Sequence, residues 1–113
     1  MKKLALLSLT YSIFLASTFA ILSGPVSAQS ALETDKMAGE CANFAILAQK
    51  EQAAEAALRM ASNRARAEQF MNQAFEEVKQ INARGEWTED RQRVFAFNGT
   101  GTCRELGIRV SDY

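Results

Sequence analysis

From Met37 to Ile81 apolar positions recur at helical spacing. Met37, Cys41, Phe44 and Ala48 stand at i, i+4, i+7 and i+11, a one-sided stripe that predicts a first helix with Cys41 on its apolar face. A second stripe runs through Ala53, Ala57, Met60, Ala67, Met71, Ala74, Val78 and Ile81, with Arg64 as its polar interruption. Phe44 and Ala53 are nine residues apart, about half a turn out of phase at ~100° per residue. On one straight helix the two stripes would face opposite ways, so the chain must bend to bring them together. No glycine or proline lies between Gly39 and Gly85, and the good helix formers Ala, Glu, Gln, Lys, Arg, Leu and Met dominate. A single helix of that span would measure roughly 65 Å, too long for a small domain to fold around. Two places compete for the bend: Lys50 to Gln52, where the phase changes, and Ser62-Asn63, an adjacent pair of poor helix formers. Either one gives an antiparallel helical hairpin.

After Ala83 the punctuation is clearer. Gly85 suits the residue just past a helix end, and Thr88 followed by Glu89 and Asp90 reads as an N-cap with acids in the first turn. A third helix is expected from about Glu89 to Phe97, with Val94, Phe95 and Phe97 as its apolar contact and Trp87 as a lid on the core. Asn98-Gly99-Thr100-Gly101 then reads as a tight reversal. Thr102-Cys103-Arg104-Glu105 matches a capping box that would open a short last helix. The competing reading of residues 94–103 is a β-hairpin turning at Asn98-Gly99. The expected fold class is all-α: a small three- or four-helix bundle, made of a helical hairpin plus short C-terminal helices.

The first thirty residues follow a different pattern. Lys2 and Lys3 precede a stretch from Leu4 to Leu22 that is apolar apart from scattered hydroxyls. Gly24 and Pro25 then read as a helix break, and Val26-Ser27-Ala28 places small residues at both specificity positions of a leader-peptidase site. The expectation is a signal peptide over residues 1–28, cleaved between Ala28 and Gln29, and a single helical domain over 29–113. The alternative is an uncleaved anchor, since nineteen apolar-rich residues can just cross a bilayer. Met37-Ala38-Gly39-Glu40-Cys41 loosely resembles a lipoprotein box, but Glu40 intrudes and no apolar run precedes it.

Composition sharpens this picture. A domain over residues 29–113 has 85 residues and buries only roughly 60 to 65% of its unfolded surface, so its core needs support. Without Lys2 and Lys3 it carries 11 basic and 13 acidic residues, a net charge of 11 − 13 = −2. Arg59, Arg64 and Arg66 are followed by Glu68, Glu76 and Glu77, so there is no one-sided basic face of the kind nucleic-acid binders use. Cys41 and Cys103 are the two cysteines, and in an oxidising compartment they allow one intramolecular pairing. That bond would close a loop of 62 residues, a stabilisation of about 4 kcal/mol in the chain-entropy model.

Candidate chemistry is sparse. Gly99 and Gly101 could cradle an anion, but neighbouring Arg104 is offset by Glu105 and no strand precedes the glycines. Cys103 at the start of a short helix would have a lowered thiol pKa. However, the chain has no histidine, which removes the commonest general base, thiol partner and metal ligand. Glu76 and Glu77, or Glu86, Glu89 and Asp90, form acidic clusters, but adjacent acids on a helix diverge and read as surface charge. "EWTED" lacks the alternation and glycine turn of a calcium loop. The sequence-based expectation is a periplasmic or secreted, non-enzymatic interaction module. It would have no catalytic residues, metal or cofactor, no nucleic-acid partner and no membrane association after leader removal. A protein partner or self-association stays open. Two alternatives stand beside it: a thiol redox protein using Cys103, and an inner-membrane-tethered helical subunit if the leader is retained.

Overall fold

The structure, a computed structural model, describes residues 23–113, with side-chain surroundings described from Ser30 onward. Most of the expected signal peptide therefore lies outside the described residues, as do the side chains at the expected cleavage site, Ala28 and Gln29. By its contacts the chain divides into two units, Met1–Ser30 and Ala31–Tyr113. All of the packing from Ala31 onward belongs to the second.

Four α-helices follow one another: α1 (Ser23–Leu47), α2 (Glu51–Arg59), α3 (Arg64–Ala83) and α4 (Glu89–Glu105), then a 3-10 turn at Val110–Asp112. The all-α class is as expected, and the described residues contain no strand, so the hairpin reading of residues 94–103 is wrong. Gly24 and Pro25, read as a helix break, fall in the first turn of α1, where a proline's missing N–H forfeits no intrahelical bond.

The long helical stretch breaks at both candidate places rather than one. At the first, α1 ends in a Schellman motif: Lys50 N–H donates to Ala45 C=O at 2.7 Å, Gln49 N–H donates to Ile46 C=O at 2.9 Å, and Gln49 takes the left-handed φ of 62°. At the second, the Asn63 side chain caps α3 by accepting from Arg66 N–H. The short helix α2 fits between them, burying Ala53, Ala54, Ala57 and Leu58. Gly85 closes α3 as expected, with φ 71° and the Glu86 N–H donating to Ile81 C=O. Thr88 caps α4 by accepting from Arg91 N–H.

The expected loop at Asn98 to Gly101 does not exist. Helix α4 runs straight through it to Glu105, and Thr102 Oγ donates back to Asn98 C=O at 3.0 Å instead of opening a capping box. Packing explains the departure. Gly99 is buried against Phe44 of α1, and a methyl group there would fall within 2.7 Å of Phe44 Cβ. The glycine that suggests a turn is where one helix lies flat on another's ring. Gly39 plays the same part between α1 and α3, where a Cβ would sit 2.7 Å from Phe70 Cβ and 2.8 Å from Met71 N.

The Cys41–Cys103 disulfide joins α1 to the last turn of α4, with a Cα–Cα separation of 4.9 Å. The core around it is built mostly of alanine: Ala38, Ala42 and Ala45 of α1, Ala53, Ala54 and Ala57 of α2, and Ala67 of α3, with Phe44, Leu58, Leu106 and Ile108 as its larger members. Lys50 Nζ donates to Tyr113 C=O at 2.6 Å, tying the C-terminal turn to the first helix break.

Candidate functional site

Burial is uneven. Of the twenty residues of α3 only Ala67 is buried, and of the seventeen of α4 only Gly99 and Cys103 are. Beyond Ala67 on α3, Met71 packs partly buried against the core, but the remaining apolar residues are not part of it. Ala74, Val78 and Ile81 are half-buried, and with Phe70 they form one wall of a cleft of about 620 Å³. The opposite wall is Val94 and Phe95 of α4, with Trp87 at one end and Phe44 of α1 at the floor. Phe95 stands edge-on to both other rings, at 5.9 Å from Phe44 and 5.4 Å from Trp87, an arrangement aromatic quadrupoles favour.

The second stripe seen in the sequence is thus divided by the fold. Its alanines Ala53, Ala57 and Ala67 are internal, while Ala74, Val78 and Ile81 line the cleft. The expected apolar contact of α4 is corrected in the same way: Phe95 packs inward, but Val94 is 59% and Phe97 80% exposed. Trp87 is a cleft wall more than a lid on the core. Lys36, Glu40, Glu77 and Arg91 place charges of both signs along the cleft. Asn43 of α1 adjoins it, 1% exposed, with an amide nitrogen that has no hydrogen-bond partner among the described residues. Leaving such a group unpaired costs about 1–3 kcal/mol.

Neither cysteine lines the cleft. Both are fully buried and bonded to each other, and no free cysteine remains among the described residues. Cys103 is in the last turn of α4, with basic Arg104 beside it. The premise that it opens a helix and gains a thiolate-favouring dipole is overturned, because α4 begins fourteen residues earlier at Glu89.

One residue that sequence reasoning missed organises the other end of the chain. Asp35 of α1 is fully buried and accepts from Ser62 N–H at 2.7 Å, Asn63 N–H at 3.1 Å, the Ser62 hydroxyl and the Arg66 guanidinium at 2.7 Å. Burial pushes its carboxyl up, but the hydrogen bonds from Asn63, Arg66 and Ser62 together hold it below the ordinary value. The carboxylate thereby neutralises amides at the start of α3 that the helix cannot satisfy itself. Its only sequence signal is register, since Asp35 is in phase with Ala38, Ala42 and Ala45, all of them buried.

Several other charges form surface pairs. Arg64 clamps Glu55 across the α2–α3 turn with two bonds of 2.8 Å and reaches Glu68, one turn on within α3, at 3.0 Å. Its bond to Glu55 raises the arginine's pKa and lowers the carboxylate's. Within the acidic cluster at Glu86, Glu89 and Asp90, Glu86 pairs with Arg84 at 2.6 Å, which lowers its pKa, and Asp90 pairs with Arg93 at 2.7 Å. Glu86 and Asp90 are thus engaged with neighbouring arginines rather than with one another.

No family model, curated protein or solved structure matches this chain. Its chemistry is therefore read from the cleft.

Proposed function

We propose that the chain is an exported, non-enzymatic interaction module whose cleft takes the apolar face of an amphipathic helix from a partner protein. The observation that carries this is the seam of Phe70, Ala74, Val78 and Ile81, left half-buried on α3 and faced by Phe44, Trp87 and Phe95 across about 620 Å³. That seam repeats every three or four residues, the period at which a docked helix presents its own anchors. The cleft is only about half enclosed, so an occupant keeps part of its surface in water. A helix with one apolar face suits that geometry better than a small apolar molecule, which seeks burial of most of its surface. Charges of both signs at the rim suit the flanks of such a helix.

Export rests on the Lys2-Lys3 start, the apolar stretch and the Val26-Ser27-Ala28 site. It is supported by a compact unit that begins at Ala31, just after the expected mature terminus, and by a buried disulfide of the kind oxidising compartments preserve. None of the described helices is long and apolar enough to cross a membrane.

Trp87 is the only tryptophan of the chain and lines the cleft, so its emission reports occupancy. The oxidised chain from Gln29 onward, titrated with a short Leu/Lys peptide of helical amphipathic order, should show a saturable blue shift. A scrambled peptide of the same composition should give none, and Val78→Glu or Ile81→Glu should abolish the response. Equal responses to both peptides, or none to either, would overturn the reading. A response to a single-chain fatty acid alone would replace the helix with a small amphiphile.

A further inference from the structure

Two polar side chains are buried among the described residues, Asp35 and Asn43. Asp35 is surrounded by donors from the α2–α3 turn and from Arg66. Asn43, 1% exposed and the largest of the fully buried side chains, has an amide nitrogen Nδ2 with no hydrogen-bond partner, the one such buried side-chain atom among the described residues. Its neighbours Ala42, Phe44 and Ala45 are buried and apolar, so a leucine of similar size would suit the packing and leave nothing unpaired. The amide adjoins the cleft. Lys36, Glu40 and Asn43 follow one another at i, i+4 and i+7 on one face of α1, all three line the cleft, and they pass from exposed through half-buried to buried. A row of polar groups thus runs from the rim inward and ends at an amide with a bond still to make.

We infer that Asn43 is the specificity-determining residue of the cleft and selects an occupant helix that carries a glutamine within its apolar face. This rests on the helix-binding reading of the cleft proposed above. Backbone carbonyls inside a helix are already engaged four residues on, so the oxygen that accepts from Asn43 comes from a side chain of the occupant. A serine or threonine hydroxyl is short and turns back to its own helix backbone. A carboxylate would enter without net compensation, since Lys36 and Glu40 offset each other, and burying an uncompensated charge is costly. A glutamine carboxamide is neutral, extends furthest from its helix and offers a carbonyl to the Asn43 N–H. The terminal torsion of an asparagine is broad, so the amide can turn its N–H toward an acceptor that arrives in the cleft. A site with a buried donor of this kind favours the occupant that completes the bond over an apolar analogue that leaves it unmade.

A double-mutant cycle read by Trp87 emission tests this. Wild type and Asn43→Leu, both oxidised and from Gln29 onward, are titrated with the amphipathic Leu/Lys peptide and with variants in which one leucine of its apolar face at a time is glutamine. At one position the affinity of the glutamine peptide relative to the leucine peptide should be at least about tenfold higher for wild type than for Asn43→Leu, a coupling of about 1.4 kcal/mol. Glutamate at that position should show no such preference. Thermal unfolding of the free proteins gives a second readout: Asn43→Leu should melt higher, because the unpaired amide is gone. Coupling below about twofold at every position, or a lower melting temperature for Asn43→Leu, overturns the role of Asn43. Glutamate that couples as strongly as glutamine overturns the choice of a carboxamide. Peptides that all bind without coupling overturn this inference alone, whereas no response of either protein to any peptide overturns the helix-binding reading and this inference with it.

Discussion

Gly99 of α4 lies directly on the ring of Phe44 of α1, so close that any side chain larger than hydrogen would overlap it. This contact and the neighbouring disulfide hold α4, one wall of the cleft, against α1 at its floor. Gly99→Ala should therefore destabilise the fold by about 1–3 kcal/mol, as overpacking a tight site does, even though alanine is the better helix former. Gly101→Ala, two residues on and facing open space, should raise stability by up to about 1 kcal/mol. Urea unfolding of the two variants in parallel checks the contrast in sign.

Asp35 joins α1 to the start of α3 and ranks with the disulfide as a long-range tie. Asp35→Asn removes the charge that its donors surround and should cost about 2–4 kcal/mol, moderated because Arg66 is itself partly exposed. The folded-state pKa of Asp35 is depressed, so its contribution is fully present above the ordinary carboxylate value and is lost as pH falls below about 4. The urea midpoint of the wild type should fall through that range. In Asp35→Asn the fall should be shallower, with a residual slope from Glu55 and Glu86, whose pKa values are also lowered.

The alanine-rich core makes the disulfide decisive. Replacing both Cys41 and Cys103 by alanine should lower stability by about 4 kcal/mol for a bond spanning 62 residues, a large share of what a domain of this size holds. Because both sulfurs are fully buried, the native oxidised protein should resist reduction and alkylation until denaturant is added. Mass measurement after alkylation, with and without denaturant, reads this directly.

Export has its own check. N-terminal sequencing of the protein recovered from cells should begin at Gln29. A chain that still begins at Met1 would favour the membrane-tethered alternative.

Features governed by local chemistry were legible in the sequence. Gly85 past a helix end, Thr88 with its acids, and a lone pair of cysteines each announce themselves through residue type and spacing. Features governed by packing were not. Asn98-Gly99-Thr100-Gly101 looks like a turn because glycine is cheap there, yet glycine is equally the residue that lets α4 lie on Phe44. The stop at Gln49 is hidden because the left-handed position carries glutamine instead of glycine. Asp35 gives no motif, since its donors are 27, 28 and 31 residues away. The cleft was the least legible part. Val78 and Ile81 carry the same periodic signal as Ala57 and Ala67, and only the placement of α4 decides which of them is covered.

The most direct measurement is paramagnetic broadening of the oxidised chain by an amphipathic helical peptide carrying a nitroxide label. Occupancy of the cleft should broaden the side-chain signals of Phe70, Val78, Ile81, Trp87 and Val94 while leaving Ala53 and Phe97 sharp. Broadening centred on Phe97, or none at saturating peptide, would contradict the assignment of the cleft as the binding site.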